Sequence, residues 1–274
     1  MRARSVAPFL IVIGGCSLLV DTSDLDEGPP EAPEVDASTS DAPRPPTGDD
    51  AATDAPSTTP DDAGADSEPE LPRIVGDWPF DDGAGTTLSD VSGRGHHGLI
   101  FGTGAWGADR TGDAGRAYEF LKSTDYVSVP ASADFDRPAG ATFSMAAWMR
   151  TEQASNHDMF FAVRLGNDNA FGLELLTATE LTYYDGRDHV ATAVVPNTVG
   201  PWHHYALVVD GDRARLYFDG IRVGQGRADA SARKGGALVF AGYNDGERLV
   251  GAIDQARFFR VALTDAEVLA EKNR

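Results

Sequence analysis

WHHYALVVDGDRARLYFDG, residues 202–220, is the stretch from which the fold is read. It holds two short blocks rich in β-branched and aromatic residues, YALVV and RLYF, each followed by a glycine turn. Asp219-Gly220 separates RLYF from IRVG, and Asp-Gly favours the positive φ angles of a type I′ hairpin turn. Asp210-Gly211-Asp212 makes a similar connection one strand earlier. Three consecutive antiparallel strands follow as a meander over residues 203–226.

Blocks of the same kind recur on both sides of this meander, separated by Gly, Asp and Asn. Before it come GRAYEFL (115–121), DYVSVP (125–130), ATFSMAAWMR (141–150), HDMFFAVRLG (157–166), FGLELL (171–176) and HVATAVV (189–195). After it come GALVFAGY (236–243) and LVGAIDQARFFRV (249–261). Helical periodicity is nearly absent, so the domain reads as an all-β sandwich or jelly roll of short strands. One helix is expected at the C-terminus. Thr264-Asp265-Ala266-Glu267 is a capping box, and Val268 and Leu269 offer a small apolar face to close the sandwich end.

Composition divides the 274 residues into three parts. Residues 1–20 carry Arg2 and Arg4, then a short apolar run, then Gly14-Gly15, the order of a secretory signal. The run is too short to span a membrane, which takes about 20 residues. Residues 21–72 hold sixteen acidic residues against one arginine, ten of the sixteen prolines, and no aromatic residue. Such a segment cannot offset the entropy of ordering, and it is expected to be a disordered, extended linker. Residues 73–274 carry 20 basic and 27 acidic residues and are long enough for one domain with a sizeable core. No basic patch suits a nucleic-acid backbone.

Cys16 is the only cysteine, so no disulfide forms within the chain. It sits in the targeting segment, and IGGC (13–16) resembles a bacterial lipobox, with Ile13 where Leu is commoner. That resemblance implies a lipidated Cys16 and an exported protein anchored in the cell envelope, at the outer membrane or cell surface. Several acyl chains, at about 0.8 kcal/mol per buried methylene, hold such an anchor stably.

Four ordered motifs resemble laminin-G-like, concanavalin A-like jelly-roll modules. They are WPFDDGAGTTLSDVSGRGHHG (78–98), TFSMAAWMR (142–150), the 202–220 stretch, and GAIDQARFFRVALTDAEV (251–268). The resemblance implies a jelly-roll sandwich of two antiparallel sheets with a short C-terminal helix. It says little of function, since this fold hosts lectins, adhesion modules and glycan-cleaving enzymes.

Several motifs bear on chemistry. GRGHHG (93–98) matches G-x-G-x-x-G, but a strand follows it where a dinucleotide site needs a helix. His96-His97 and His203-His204 are neighbours whose side chains diverge on a strand, and so are read as structural. The nearest carboxylate pair, Glu174 and Glu180, is six residues apart across a Thr-Ala-Thr turn, and no nucleophile elbow occurs. Asp90 is read as capping its own turn. The domain is therefore expected to be non-catalytic.

Asp254 lies among apolar residues, where a carboxylate needs a partner or a metal. The resemblance implies a structural calcium bridging the first and last strands, held by Asp77, Asp254 and a carbonyl near Gly115. The competing reading pairs Asp254 with an arginine or has it cap backbone amides. For ligand binding, Asn156, Tyr183, Tyr184, Tyr243 and Asn244 sit at strand ends or loops, where aromatics stack on sugars and amides take hydroxyls. The expected partner is a glycan or an envelope or extracellular protein. The alternatives are a glycan-cleaving enzyme with an unconventional site and a structural or adhesion component of the envelope.

Overall fold

The computed structural model describes residues 73–153, 157–165, 168–229, 231–242 and 248–274. Strands β1 (Ile74–Trp78), β2 (Thr87–Leu88), β3 (Gly98–Phe101), β4 (Ala105–Ala108), β5 (Ala114–Phe120) and β6 (Tyr126–Val129) lead to a 3-10 turn at Ala133–Phe135. Then come β7 (Thr142–Thr151), β8 (Asp158–Leu165), β9 (Asp168–Thr177), β10 (Glu180–Tyr184) and β11 (His189–Val194). β12 (Trp202–Asp210), β13 (Arg213–Phe218), β14 (Ile221–Arg227), β15 (Ala237–Phe240) and β16 (Gly251–Phe259) precede the helix α1 (Asp265–Lys272).

The strands form two sheets. The first runs β14-β13-β12-β7-β16-β5-β4, with β1 also paired to β16. The second runs β11-β10-β9-β8-β15-β6-β3-β2. The meander read from residues 202–220 is β12-β13-β14, antiparallel throughout. Its second turn has Asp219 at φ 50° and Gly220 at φ 79°, the positive angles that Asp-Gly supplies.

Alternation explains the core between the sheets. In β7, Phe143, Met145, Ala147 and Met149 point inward, and in β9 Phe171, Leu173 and Leu175 do the same. Trp78, fully buried, packs edge-on to Phe240 at 5.2 Å and donates its indole N–H to the His96 carbonyl at 2.8 Å.

The helix sits differently from expectation. Its capping box forms, with Thr264 and Glu267 bonded reciprocally. Yet α1 does not close the sandwich end. Val268 packs with Ala146, Ala206, Val208 and Tyr217 on the outer face of the first sheet. The reason is legible in YALVV, whose alternate residues are all buried because a second layer covers them.

Candidate functional site

The outer face of the second sheet carries a group of three potential metal-ligating side chains, His157, Glu174 and His189. In β9 the inward residues leave Gly172 and Glu174 facing out. Glu174 is nonetheless buried, because two histidines close over it. His189 Nε2 lies 2.5 Å from Glu174 Oε1, and His157 Nδ1 lies 3.8 Å from the same oxygen. One ligand atom from each of the three falls within 4.8 Å of the others. The two imidazole rings are 5.6 Å apart, and the Tyr184 ring stands 5.4 Å from His189.

Two bulges bring the histidines to this face. The register of β10 with β11 shifts between Tyr183 and Tyr184, so Tyr184 lies opposite His189 and not Val190. Strict alternation from inward Ala191 would turn His189 into the core. In β8 the register shifts between Met159 and Phe161, so Phe160 and Phe161 both enter the core and Met159 pairs with Glu174. His157 precedes β8 and reaches the same carboxylate. Re-aiming a side chain is a recurrent use of bulges.

Toward the opposite edge of the same face, Phe101 on β3 and Tyr126 on β6 stack at 4.7 Å with an interplanar angle of 11°. Their strand neighbours Val127 and Val129 point inward, so this pair points out. Phe101 is 40% exposed, and Arg248 lies over the Tyr126 ring at 5.1 Å. Tyr126 and Glu174 are three strand steps apart, about 14 Å at the usual inter-strand spacing. A separate groove of about 630 Å³ beside β13 and β14 is lined by Arg213, Arg215, Arg222 and Arg227. Arg215 and Arg222 face Asp265, and Arg227 faces Asp212, so much of that charge is neutralised.

The calcium ligands read from the sequence do not converge. Asp77 Oδ2 accepts from Arg257 Nη2 at 2.7 Å, and Arg257 also holds Glu271 of α1 at 3.1 Å. Asp254 Oδ2 accepts from Arg110 Nη1 at 3.0 Å, and that guanidinium lies 5.0 Å over Trp148. Gly115 packs against Gly83. Along the β1–β16 pairing it is Arg257, not Asp254, that stands opposite Asp77. This donor set does not fit one shared calcium ion, and Asp254 follows the competing arginine reading. Burial pushes the Asp254 pKa up to about 7 against the pull of Arg110, and Asp109 and Asp81 add to the rise.

The ligand-binding candidates divide as adjacent strand residues must. Tyr183 is fully buried, and its hydroxyl accepts from Arg137 Nη1 at 2.9 Å, so it belongs to the core and is withdrawn as a surface contact. Tyr184 faces outward beside His189. Asn156, Tyr243, Asn244 and Cys16 lie outside the described residues.

The remaining motifs take structural roles. Gly93 and Gly95, at φ 82° and 74°, form a turn leading into β3. Asp90 accepts from the backbone amides of Asp77, Ser92 and His96, which outweigh its burial and hold its pKa below the usual carboxylate range. His203 bonds Asp219 at 2.8 Å, while His204 is buried on the other side and held neutral, its pKa pushed down to about 4 by burial. Glu180 pairs with Thr177 while Thr182 pairs with Glu174, so the two glutamates are not set side by side.

Two antiparallel sheets with this strand order define a concanavalin-like sandwich. The sequence matches the model of the Concanavalin A-like lectin/glucanases superfamily over residues 121–269, and the chain belongs to that family. No curated protein sequence matches it. Among solved structures, it is similar to domain 4 of AbnA, a GH43 extracellular arabinanase from Geobacillus stearothermophilus, in complex with arabinotriose. That match has TM-score 0.56 and 21% identity, covering 73% of this chain and 98% of that one. It is also similar to the binding domain of Paraclostridial Mosquitocidal Protein 1, at TM-score 0.56 and 12% identity, covering 73% of this chain and 52% of that one. The binding domain of botulinum neurotoxin DC in complex with rat synaptotagmin II gives TM-score 0.56 and 12% identity, covering 73% and 51%. The chain thus spans about half the length of the two toxin domains. At these identities the likeness is one of fold.

Proposed function

We propose that the protein is an exported, lipid-anchored module that binds glycan on the outer face of its second sheet, without catalysis. The observation that carries this reading is the Phe101–Tyr126 pair, nearly parallel and stacked on a sheet face, with Phe101 40% exposed. Aromatic surface exposed on a sheet face is what a sugar ring packs on. The arabinotriose complex of the similar arabinanase domain supports the reading by analogy of fold. In this proposal Cys16 carries the lipid, residues 21–72 form the acidic spacer, and the domain from residue 73 presents its face outside the cytoplasm.

The test is a glycan array probed with the mature chain, followed by titration of any hit against wild type and Phe101→Ala. The expected result is binding to a defined glycan class, weakened about tenfold or more in the variant, equivalent to about 1.4 kcal/mol. A blank array transfers the face to a protein partner and overturns the glycan reading. Mass spectrometry of the mature N-terminal peptide tests the anchor, and an unacylated Cys16 overturns it.

A further inference from the structure

We propose that His157, Glu174 and His189 form a binding site for a divalent transition metal of the zinc class, with at least one coordination position open to solvent. The donors are two imidazole nitrogens and one carboxylate oxygen, already within 4.8 Å of one another. Calcium and magnesium take oxygen donors, whereas imidazole suits zinc, copper, nickel and iron. Two histidines with one glutamate are a sufficient set for zinc when water fills the remaining position.

The geometry fits. Ligand atoms bonded to zinc at about 2.0–2.1 Å in a tetrahedron stand about 3.3 Å apart. The observed separations from Glu174 Oε1, 2.5 Å to His189 and 3.8 Å to His157, straddle that value. Relative to the carboxylate oxygen, metal entry asks His189 to withdraw and His157 to approach by less than about 1 Å each, and the two imidazole nitrogens, within 4.8 Å of one another, to close toward the same separation. Burial also fits. The Glu174 side chain is 3% exposed, and a carboxylate so placed needs a cation or strong donors. The histidine side chains are 32% and 35% exposed, so the cluster has an entry path on its outer side. The three ligands come from the segment entering β8, the middle of β9 and the start of β11. A bound ion would therefore cross-link β9 to β11, which β10 separates in the sheet.

The site lies about 14 Å from Phe101–Tyr126, by the strand spacing, so its test is separable from that of the glycan reading. The full chain is titrated with zinc in competition with a chromophoric chelator, and with cobalt(II) followed by visible absorption. The variants are His157→Ala, His189→Ala, their double variant, and Glu174→Gln. Wild type is expected to take one equivalent of zinc and to give the intense visible band of low-coordinate cobalt. Each single histidine variant is expected to bind at least tenfold more weakly, and the double variant to lose the cobalt band. The histidines are partly exposed, so these variants keep the test decisive even if the buried Glu174→Gln fails to fold. Phe101→Ala should leave metal affinity unchanged. Equal zinc uptake by wild type and the double variant would overturn the proposal, as would a wild-type cobalt spectrum identical to the hydrated ion.

Discussion

Replacing Asp254 with Asn should remove the pH dependence that this carboxyl gives the fold. Asp254 is 1% exposed on β16, and its Oδ2 accepts from the Arg110 guanidinium at 3.0 Å. Burial dominates and raises its pKa from 3.8 to about 7. The folded state therefore keeps a proton that the unfolded chain releases. The stability this carboxyl provides is fully present below pH 3.8 and is lost as pH rises through about 7. A displacement of that size corresponds to about 4 kcal/mol at about 1.4 kcal/mol per pKa unit. Asparagine keeps the shape and does not titrate. The unfolding free energy of wild type minus that of the variant should then fall by about 4 kcal/mol between about pH 4 and about pH 8. Urea unfolding followed by tryptophan fluorescence, run on both proteins across that range, gives the difference directly. A flat difference would refute the reasoning, because it would mean that Arg110 keeps the carboxylate ionised throughout. The same experiment reads calcium. An ion on Asp254 would stabilise wild type above pH 7 and not the variant, whereas the guanidinium pairing predicts no gain from millimolar calcium in either.

Two further substitutions test the frame that holds the site. Thr264→Ala removes the hydroxyl that caps Glu267 N at 3.3 Å and should cost about 1 kcal/mol in chemical denaturation. Tyr183→Phe leaves the buried Arg137 without its hydroxyl acceptor and should cost about 1–3 kcal/mol. Because Tyr183 faces the core, glycan affinity should not change in that variant, and a loss of binding without a loss of stability would contradict its placement.

The sandwich was legible because its signals are local. Asp219-Gly220 specifies a turn whatever surrounds it, and the alternation in TFSMAAWMR names its own inner face. The capping box likewise marked the start of α1. Where the helix lies depends on a distant partner, and the clue was the lack of alternation in YALVV, which signals cover on both faces. The calcium set depended on which residues face each other across strands far apart in sequence, which residue types alone do not give: Asp77 stands opposite Arg257, and Asp254 takes Arg110.

Register irregularities in the second sheet assemble the other site. Period-two reading places His189 on the face of Ala191, in the core, and treats His157 as a residue of a strand entrance. The bulges in β8 and β11 break that period and turn both histidines onto the face of Glu174. Glu174 itself was recognised only as half of a missing carboxylate pair, because its partners are far from it in sequence. A bulge costs a ladder position and is kept where a side chain must be re-aimed. Two bulges in neighbouring parts of one sheet, each delivering an imidazole to the same buried oxygen, are what selection for a site predicts. Packing alone gives no reason for the coincidence, since an apolar residue at position 174 would fill that face without either histidine.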